Sequence, residues 1–373
     1  LATALSGCGG SSGDTGPAGP AGPAGPAGPT GPSSVNVVDV GSNTATNPTV
    51  INANAAAWAA LDPTVTVNSV SIASPPVVNF TVTDAFGVPV VGLGNKSKAS
   101  TAKFASYPNL AFGLAKLVPG TNGNPSKWVS YIVTSVETTS AVPAPQRPGT
   151  DNTGTLVDNG NGSYKYTFYR DIPGAKAAVA AMAASAAAAS PAGNVADLGD
   201  LTYDASLTHR LTIQFSGNAP GTGTNTPTAA TSAVAAVPLK KPYDAIYDFI
   251  PATGAKVSAT DFSRDVVANA NCEACHRKLG GIPGLSGAED AAAFHGGSRN
   301  NVQYCAVCHT EQRKYGRVEA TATLDGAVKT FTSASTNVYK LDGRAIGNLP
   351  NLIHKVHLSK LLAHKNYDFA GVK

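Results

Sequence analysis

The chain has 373 residues, of which 13% are charged and 7% aromatic, and its formal net charge is +4. This length allows two domains of ordinary size and a tail. The low charge, with many Ala, Gly, Thr, Val and Pro residues, favours an exported β-rich protein over a helical cytosolic enzyme. The longest apolar run, residues 177–189, is shorter than the ~20 residues that a transmembrane helix needs.

The N-terminal segment ends in Leu5-Ser6-Gly7-Cys8, which resembles the lipobox of a bacterial lipoprotein signal peptide. In that interpretation Cys8 is lipidated and anchors the chain to a membrane without spanning it. The alternative is a stray cysteine in a tail. Residues 13–32 are Gly-x-y triplets, mostly Gly-Pro-Ala, and they predict a polyproline II spacer of roughly 60 Å, with a trimerising stalk as the alternative. We assign residues 1–34 to the lipobox and spacer.

The next part of the chain alternates apolar and polar residues in short runs that are separated by Gly-, Pro- or Asn-containing turns. Such runs predict a β-sandwich or barrel, and they lie at residues 63–72, 77–91, 154–170, 207–215 and 243–250. An Ala-rich segment, 176–192, predicts an inserted helix or a loop. Composition changes within 251–262, where Cys, His and basic residues begin to accumulate. We therefore predict a mainly β domain at 35–255, followed at 256–373 by a domain rich in loops and short helices.

A Cys-x-x-Cys-His motif occurs twice in the C-terminal part. Two thiols at this spacing match the two vinyl groups of haem, and the following histidine then reaches the iron as the proximal ligand. The motifs predict two covalently bound haems c. The thioether candidates are Cys272, Cys275, Cys305 and Cys308, and the proximal ligands are His276 and His309.

Zinc is the main alternative, since two Cys-x-x-Cys pairs can form a zinc ribbon. The 29 residues between the pairs exceed the usual spacing of about 15–20. Histidine follows the second cysteine in both motifs, and the chain has the composition of an exported protein. A thioredoxin-like redox pair lacks its βαβ context. Haem c is therefore the preferred prediction.

Further histidines are candidates for the distal position of each iron. His295 precedes two glycines that would let the backbone pass close to a flat macrocycle. His354 and His357, three residues apart, share one side of a predicted helix. His364 continues roughly that face, whereas His209 lies in an alternating strand and is expected to be structural. Three good distal candidates for two haems suggest that one of them serves a haem attached elsewhere.

The positive charge of the chain is concentrated near these motifs. Residues 1–261 hold 13 basic and 14 acidic residues, and residues 262–373 hold 14 and 9. Two haems would bring propionates that cancel most of this excess, so we do not expect a nucleic-acid partner. The residues that could neutralise propionates, and that equally fit ordinary solvated charges, are Lys278, Arg299, Arg313 and Lys355.

At these residues the chain resembles the OmcA/MtrC family of outer-membrane multihaem cytochromes. The two haem segments, 262–280 and 294–309, and the helix Leu352-Ile353-His354-Lys355-Val356-His357 carry the specific part of the resemblance. Supporting similarity lies in the β region, at 77–90, 114–132 and 154–168.

The resemblance implies a split β-barrel domain before a multihaem domain, with mostly bis-His haems and a lipid anchor at the outer cell surface. It implies that His295, His354 and His357 supply distal ligands. It also implies electron transfer to metal oxides, soluble shuttles or partner cytochromes, including an outer-membrane porin-cytochrome conduit, as in dissimilatory metal reduction. Family members usually carry ten haems, so we expect this chain to be the first part of a longer one, with a natural dihaem protein as the alternative.

Three functions fit these features to different degrees. Electron conduction needs six-coordinate haems, which the supply of histidines favours. A haem reductase needs an open iron with acid or base residues above it. A surface adhesin with accessory haems would use the β domain but leaves the Cys-His motifs unexplained. We predict an electron-transfer cytochrome, with terminal metal reduction rather than substrate-specific catalysis as its enzymatic possibility.

Overall fold

The computed structural model describes residues 37–41, 47–185, 193–276, 278–281, 283, 294–319, 321–325, 328–332 and 340–358. The chain divides into two units, and the second, Asn36–Lys373, contains all of these residues. Cys8, the Gly-Pro-Ala spacer and His364 lie outside the described residues. Within the described part, no helix is long and apolar enough to cross a membrane.

Five α-helices are present among the described residues: α1 Pro48–Ala60, α2 Ala175–Ser185, α3 Asn269–His276, α4 Val302–Cys308 and α5 Leu349–Leu358. Helix α1 was not expected from the alternation that surrounds it. It begins at an Asn47 cap whose side chain accepts the N–H of Thr49, with Pro48 as its first residue. Trp58, on its buried side, donates to the carbonyl of Gly217 over 3.1 Å. Helix α2 confirms the helical interpretation for residues 176–185 of the Ala-rich segment, and residues 186–192 lie outside the described part.

One sheet has four antiparallel strands, ordered β2-β3-β8-β7. Its central strand β3 buries alternate residues, which point into the core while their neighbours remain half-buried. That period of two is the pattern expected of a strand with one face on a core. The strand bounds are β2 Thr64–Ser71, β3 Val77–Thr83, β7 Thr155–Asp158 and β8 Ser163–Thr167.

The other large sheet has five antiparallel strands, ordered β11-β10-β9-β5-β6. Its bounds are β5 Leu110–Val118, β6 Lys127–Ser130, β9 His209–Phe215, β10 Tyr243–Ile250 and β11 Ala255–Lys256. The remaining pairs are short: β1 Val38–Asp39 with β4 Val90–Val91, β12 Thr321–Asp325 with β13 Val328–Thr332, and β14 Lys340–Leu341 with β15 Arg344–Ala345.

The two large sheets share one hydrophobic core, and their strands form a sandwich. Phe80 stacks on Tyr164 within the four-stranded sheet and meets Phe112 of β5 edge-on, with ring centroids 5.8 Å apart. The mainly β fold, followed by a segment of loops and short helices, is confirmed. The division at residue 255 stays a prediction.

Strand β9 is buried along its whole length. In a sandwich with a solvent-exposed outer face, every second residue of such a strand would be exposed. Leu211, Ile213 and Phe215 enter the core between the sheets. Arg210 and Gln214 alternate with them and hydrogen-bond to residues of the C-terminal segment. On neighbouring β5, Ala115 and Leu117 pack in a second cluster that includes Val302 and Val307 of α4. The outer face of the five-stranded sheet is therefore covered by α4.

Gly113 of β5 lies at a close approach between the five-stranded sheet and α4. A Cβ there would lie 2.5 Å from Oγ1 of Thr212 and 3.4 Å from Cγ1 of Val307. We expect Gly113→Ala to lower the free energy of unfolding by about 1–3 kcal/mol, because an added methyl overpacks this contact. Chemical denaturation measures the loss. Within the described part of the chain, Oγ1 of Thr212 is buried and has no hydrogen-bond partner, so Thr212→Ala should recover part of the lost stability in the double variant. Additive losses would contradict this account.

Candidate haem sites

The first motif lies on helix α3. Cys272 and Cys275 are three residues apart, on neighbouring turns, and His276 is the last residue of the helix. Cys272 is half-buried and packs against the cluster that contains Trp128 and Leu349, whereas Cys275 is exposed. The helix therefore holds one thiol against the protein and presents the other to solvent.

The second motif lies on helix α4, which begins at an Asn301 cap. Cys308 is buried, its Sγ 3.8 Å from the carbonyl oxygen of Gly149. His309 leaves the helix as its C-terminal cap, and its Nδ1 lies 3.0 Å from the carbonyl oxygen of Gly347. A carbonyl at Nδ1 fixes the proton there, so Nε2 is the ring nitrogen that would bind a metal. The sequence predicted His309 as a ligand but gave no sign of Gly347.

The thiols of the second motif sit in apolar surroundings. Burial raises the pKa of Cys305 to about 12 and also raises the pKa of Cys308. Zinc binds the thiolate, which such a site disfavours, whereas a haem thioether carries no charge. Among the described residues, no three His, Cys, Asp or Glu side chains converge to hold a metal ion. The donor set therefore fits haem c better than a zinc ribbon.

Each motif histidine has a second histidine facing it. The ring centroids of His276 and His357 are 6.0 Å apart, and those of His309 and His295 are 6.2 Å apart. A metal–imidazole nitrogen bond is about 2.0–2.1 Å long, so two imidazoles on opposite sides of one ion have centroids about 6 Å apart. Both pairs have the separation that two axial ligands of one iron require.

Backbone geometry supports the positions of the two facing histidines. Nδ1 of His357 lies 2.8 Å from the carbonyl of Ile353, one turn earlier in α5, which again leaves Nε2 for a metal. His295 has a φ of 51°, a left-handed conformation that is uncommon for a residue with a side chain. Such strain concentrates where a side chain must be aimed at a site.

The remaining histidines are placed differently. His354 is exposed on α5, and no ring contact joins it to either motif histidine in the described part of the chain. His209 is buried; its Nδ1 lies 2.8 Å from the carbonyl of Leu207 and its Nε2 3.1 Å from the hydroxyl of Tyr131. Burial lowers the pKa of His209 to about 4. His209 is a neutral core residue of the sandwich.

A buried arginine ties the sheet to both motifs. Arg210 of β9 forms a two-pronged ion pair with Asp248 of β10, both contacts 2.7 Å long. It also contacts Asp265, just before α3, at 3.2 Å and the carbonyl of Gln303 in α4 at 3.4 Å. Its guanidinium lies over the ring of Trp128, 4.4 Å from the centroid. One side chain thus links two strands of the sheet to the segments that carry the cysteines.

Two further side chains join the same surfaces. Gln312 follows the second motif, and its amide pairs with the backbone of Ser130 at the end of β6, accepting over 2.8 Å and donating over 2.9 Å. Asp244 of β10 accepts the N–H groups of Asn300 and Asn301 at the start of α4. The sequence did not identify Arg210, Gln312 or Asp244, because each acts on residues far away along the chain.

Two short helices that each carry a Cys-x-x-Cys-His motif, with a second imidazole facing each motif histidine, define a c-type cytochrome. Residues 264–372 match the family model described as outer membrane cytochrome MtrC/MtrF-like, domains II/IV. The multiheme cytochrome MtrC of Shewanella baltica (strain OS185) is 28% identical over 238 residues, which are 63% of this chain and 25% of the relative. Both matches support the prediction of an OmcA/MtrC-type multihaem cytochrome.

Solved structures also align with the chain. The crystal structure of MtrC from Shewanella baltica OS185 is 25% identical, with a TM-score of 0.39, and the match covers 66% of this chain and 29% of that one. The crystal structure of the outer membrane decaheme cytochrome OmcA is 23% identical, with a TM-score of 0.40, and the match covers 67% and 30%. The chain spans about a quarter of the length of the curated relative.

Proposed function

We propose that this chain conducts electrons through two covalently attached haems c, each with two histidine ligands. The observation that carries the proposal is that each motif histidine faces a second imidazole. The ring centroids are 6.0 Å apart in the first pair and 6.2 Å apart in the second. A haem iron closed on both sides by nitrogen ligands takes up and releases one electron without binding a substrate. The protein's part is to hold the ligands, exclude water and set the potential.

The two pairs support a role for each residue. In the first site Cys272 and Cys275 would form the thioethers, His276 would be the proximal ligand and His357 of α5 the distal ligand. Helix α5 is thereby fixed opposite α3, with Nδ1 of His357 held by the carbonyl of Ile353.

In the second site Cys305 and Cys308 form the thioethers, His309 is the proximal ligand and His295 is the distal one. The carbonyl of Gly347 orients His309, while the left-handed backbone at His295 aims its ring.

The third distal candidate, His354, is assigned to an iron outside these two sites. It lies one turn before His357 on α5, on the exposed surface of the helix. An imidazole presented there suits a haem attached to a motif beyond this chain. Helix α5 would then hold ligands for two neighbouring haems, one at His357 and one at His354.

The cellular setting of the proposal comes from the relatives. The matching family model describes outer membrane cytochromes. We propose a lipid-anchored position at the outer cell surface, with Cys8 as the acylated residue, and electron exchange with metal oxides, soluble shuttles, other multihaem cytochromes and a porin-cytochrome conduit. The proposed division at 35–255 and 256–373 makes the β-sandwich the support of the haem segment.

A titration with carbon monoxide tests the proposal on the chain matured with haem. We expect two covalent haems per chain by the pyridine haemochrome assay, and a low-spin visible spectrum that carbon monoxide and nitrite leave unchanged, because both faces of each iron are occupied. A high-spin fraction that binds carbon monoxide would favour a reductase with an open iron instead. The apoprotein, in which the cysteines remain thiols, is the control for covalent attachment.

A further inference from the structure

The surroundings of the second histidine pair are electrically unequal, and Arg299 is the cause. Its Nη1 lies 3.4 Å from Nδ1 of His295. A guanidinium has only N–H donors and no acceptor, so it cannot take the proton that an Nε2-bound imidazole carries on Nδ1. His309 and His357 instead face backbone carbonyls, at 3.0 and 2.8 Å. His295 thus has a cation at Nδ1, the position at which His309 and His357 have carbonyl oxygens.

The position of Arg299 is fixed from the sheet. Its Nε donates over 3.1 Å to Oε1 of Gln214 on β9, and the same oxygen accepts the hydroxyl of Tyr304 over 3.1 Å. The guanidinium also lies 5.5 Å from the ring centroid of Tyr304. Gln214 in turn donates to Ser216 over 2.7 Å. The β-sandwich therefore holds this charge beside the candidate ligand.

Among the described residues, Arg313 acts on the pair in the same direction as Arg299. Desolvation, followed by the positive charges of Arg299 and Arg313, lowers the pKa of His295. Desolvation lowers the pKa of His309 to about 4, and the same two arginines act in that direction. Asp244 lies within electrostatic reach of Arg299, and burial raises the pKa of this carboxyl to about 7, so at neutral pH it cancels only part of the guanidinium charge.

We propose that Arg299, held by Gln214, raises the reduction potential of the haem bound by His309 and His295 above that of the haem bound by His276 and His357. A fixed positive charge next to a ligand opposes the ferric state, which carries one more positive charge than the ferrous state. The carbonyl acceptors at His309 and His357 push electron density toward the metal, which favours the ferric state. The inference rests on the proposed bis-His function. It ranks the two haems by reduction potential, with the second haem the higher. Electrons then settle preferentially on the second haem.

Spectroelectrochemical titration of the haem-loaded chain tests this assignment. The variant Arg299→Gln keeps N–H donors but loses the charge. Its ferrous-to-ferric ratio at the second haem should fall about tenfold at a given potential, by the strength of a charge interaction at an effective dielectric near 20. For a one-electron couple, tenfold is about 59 mV toward negative potential. Arg299→Lys should restore most of the shift. His295→Met, which raises the potential of the same component, identifies it in the titration.

A matched control and a second variant separate charge from fold. Lys165→Gln removes one positive charge from an exposed site on β8 and should move neither potential. Gln214→Met keeps the charge but frees the guanidinium, so the second haem should shift in the same direction by less. An unmoved or more positive second potential in Arg299→Gln, or an equal shift in Lys165→Gln, overturns the inference. A wild-type spectrum that is high-spin overturns the proposed function itself, and the two failures are thereby distinguished.

Discussion

Replacing His357 by alanine is expected to leave both haems attached but to convert one of them from low-spin to high-spin. The thioethers at Cys272 and Cys275 do not depend on the distal ligand. Removing the imidazole 6.0 Å from His276 opens one face of that iron. Carbon monoxide should then bind one haem of the chain and not the other. Magnetic circular dichroism and a carbon monoxide titration measure the change.

The neighbouring His354 supplies a matched control. It lies on the same helix, three residues earlier, and is exposed like His357. His354→Ala should leave both haems of this chain low-spin, because its proposed iron lies elsewhere. If His354→Ala opens an iron and His357→Ala does not, the two roles on α5 are reversed.

Replacing Arg210 by methionine is expected to lower the free energy of unfolding by about 3 kcal/mol. Breaking a buried ion pair costs about 3–5 kcal/mol, because the remaining charge loses its partner. We expect the lower end of this range of costs because the ion pair is only partly buried. The side chain of Asp248 is 19% exposed, whereas that of Arg210 is 2% exposed. The same change removes the cation from the face of Trp128 and frees Asp265. Denaturant unfolding followed by tryptophan fluorescence measures the loss.

Two comparisons identify the origin of that loss. The double variant Arg210→Met, Asp248→Leu should recover much of the stability, because it removes the orphaned charge together with its partner. Arg344→Met, at an exposed position on β15, should change stability by less than about 0.5 kcal/mol. A double variant as unstable as the single one would mean that packing on Trp128, and not the ion pair, carries the effect.

The features that the sequence predicted well are those with a local cause. The strand Tyr243–Ile250 was predicted with the bounds that the structure gives, since its apolar run is bounded by prolines. Helix α5 follows from the spacing of His354 and His357. The same holds for the reading of His209 as structural, because alternation in its strand implied a buried side.

Features with a long-range cause were not predictable. Alternation in β9 implied one buried and one solvated face, yet Arg210 and Gln214 are buried under α4. From the sequence alone, polar residues that alternate with apolar ones on a strand are predicted to face solvent. Only the packing of α4 on the sheet shows that they are buried. The pairing of His276 with His357 and of His309 with His295 also had no sequence signal, because it depends on how α3, α4 and α5 meet. Helix α1 was missed because its cap, Asn47-Pro48, lies between β-like runs.

The double burial of the five-stranded sheet has a consequence for quality control in the cell. Until α4 docks, Leu117 and Trp128 form part of an exposed apolar patch. The neighbouring Arg210 then also lacks its contact with Asp265 of the C-terminal segment. Such a surface invites aggregation and proteolysis. A chain in which α4 fails to dock would therefore expose this patch next to its haem motifs and would be open to proteolytic removal.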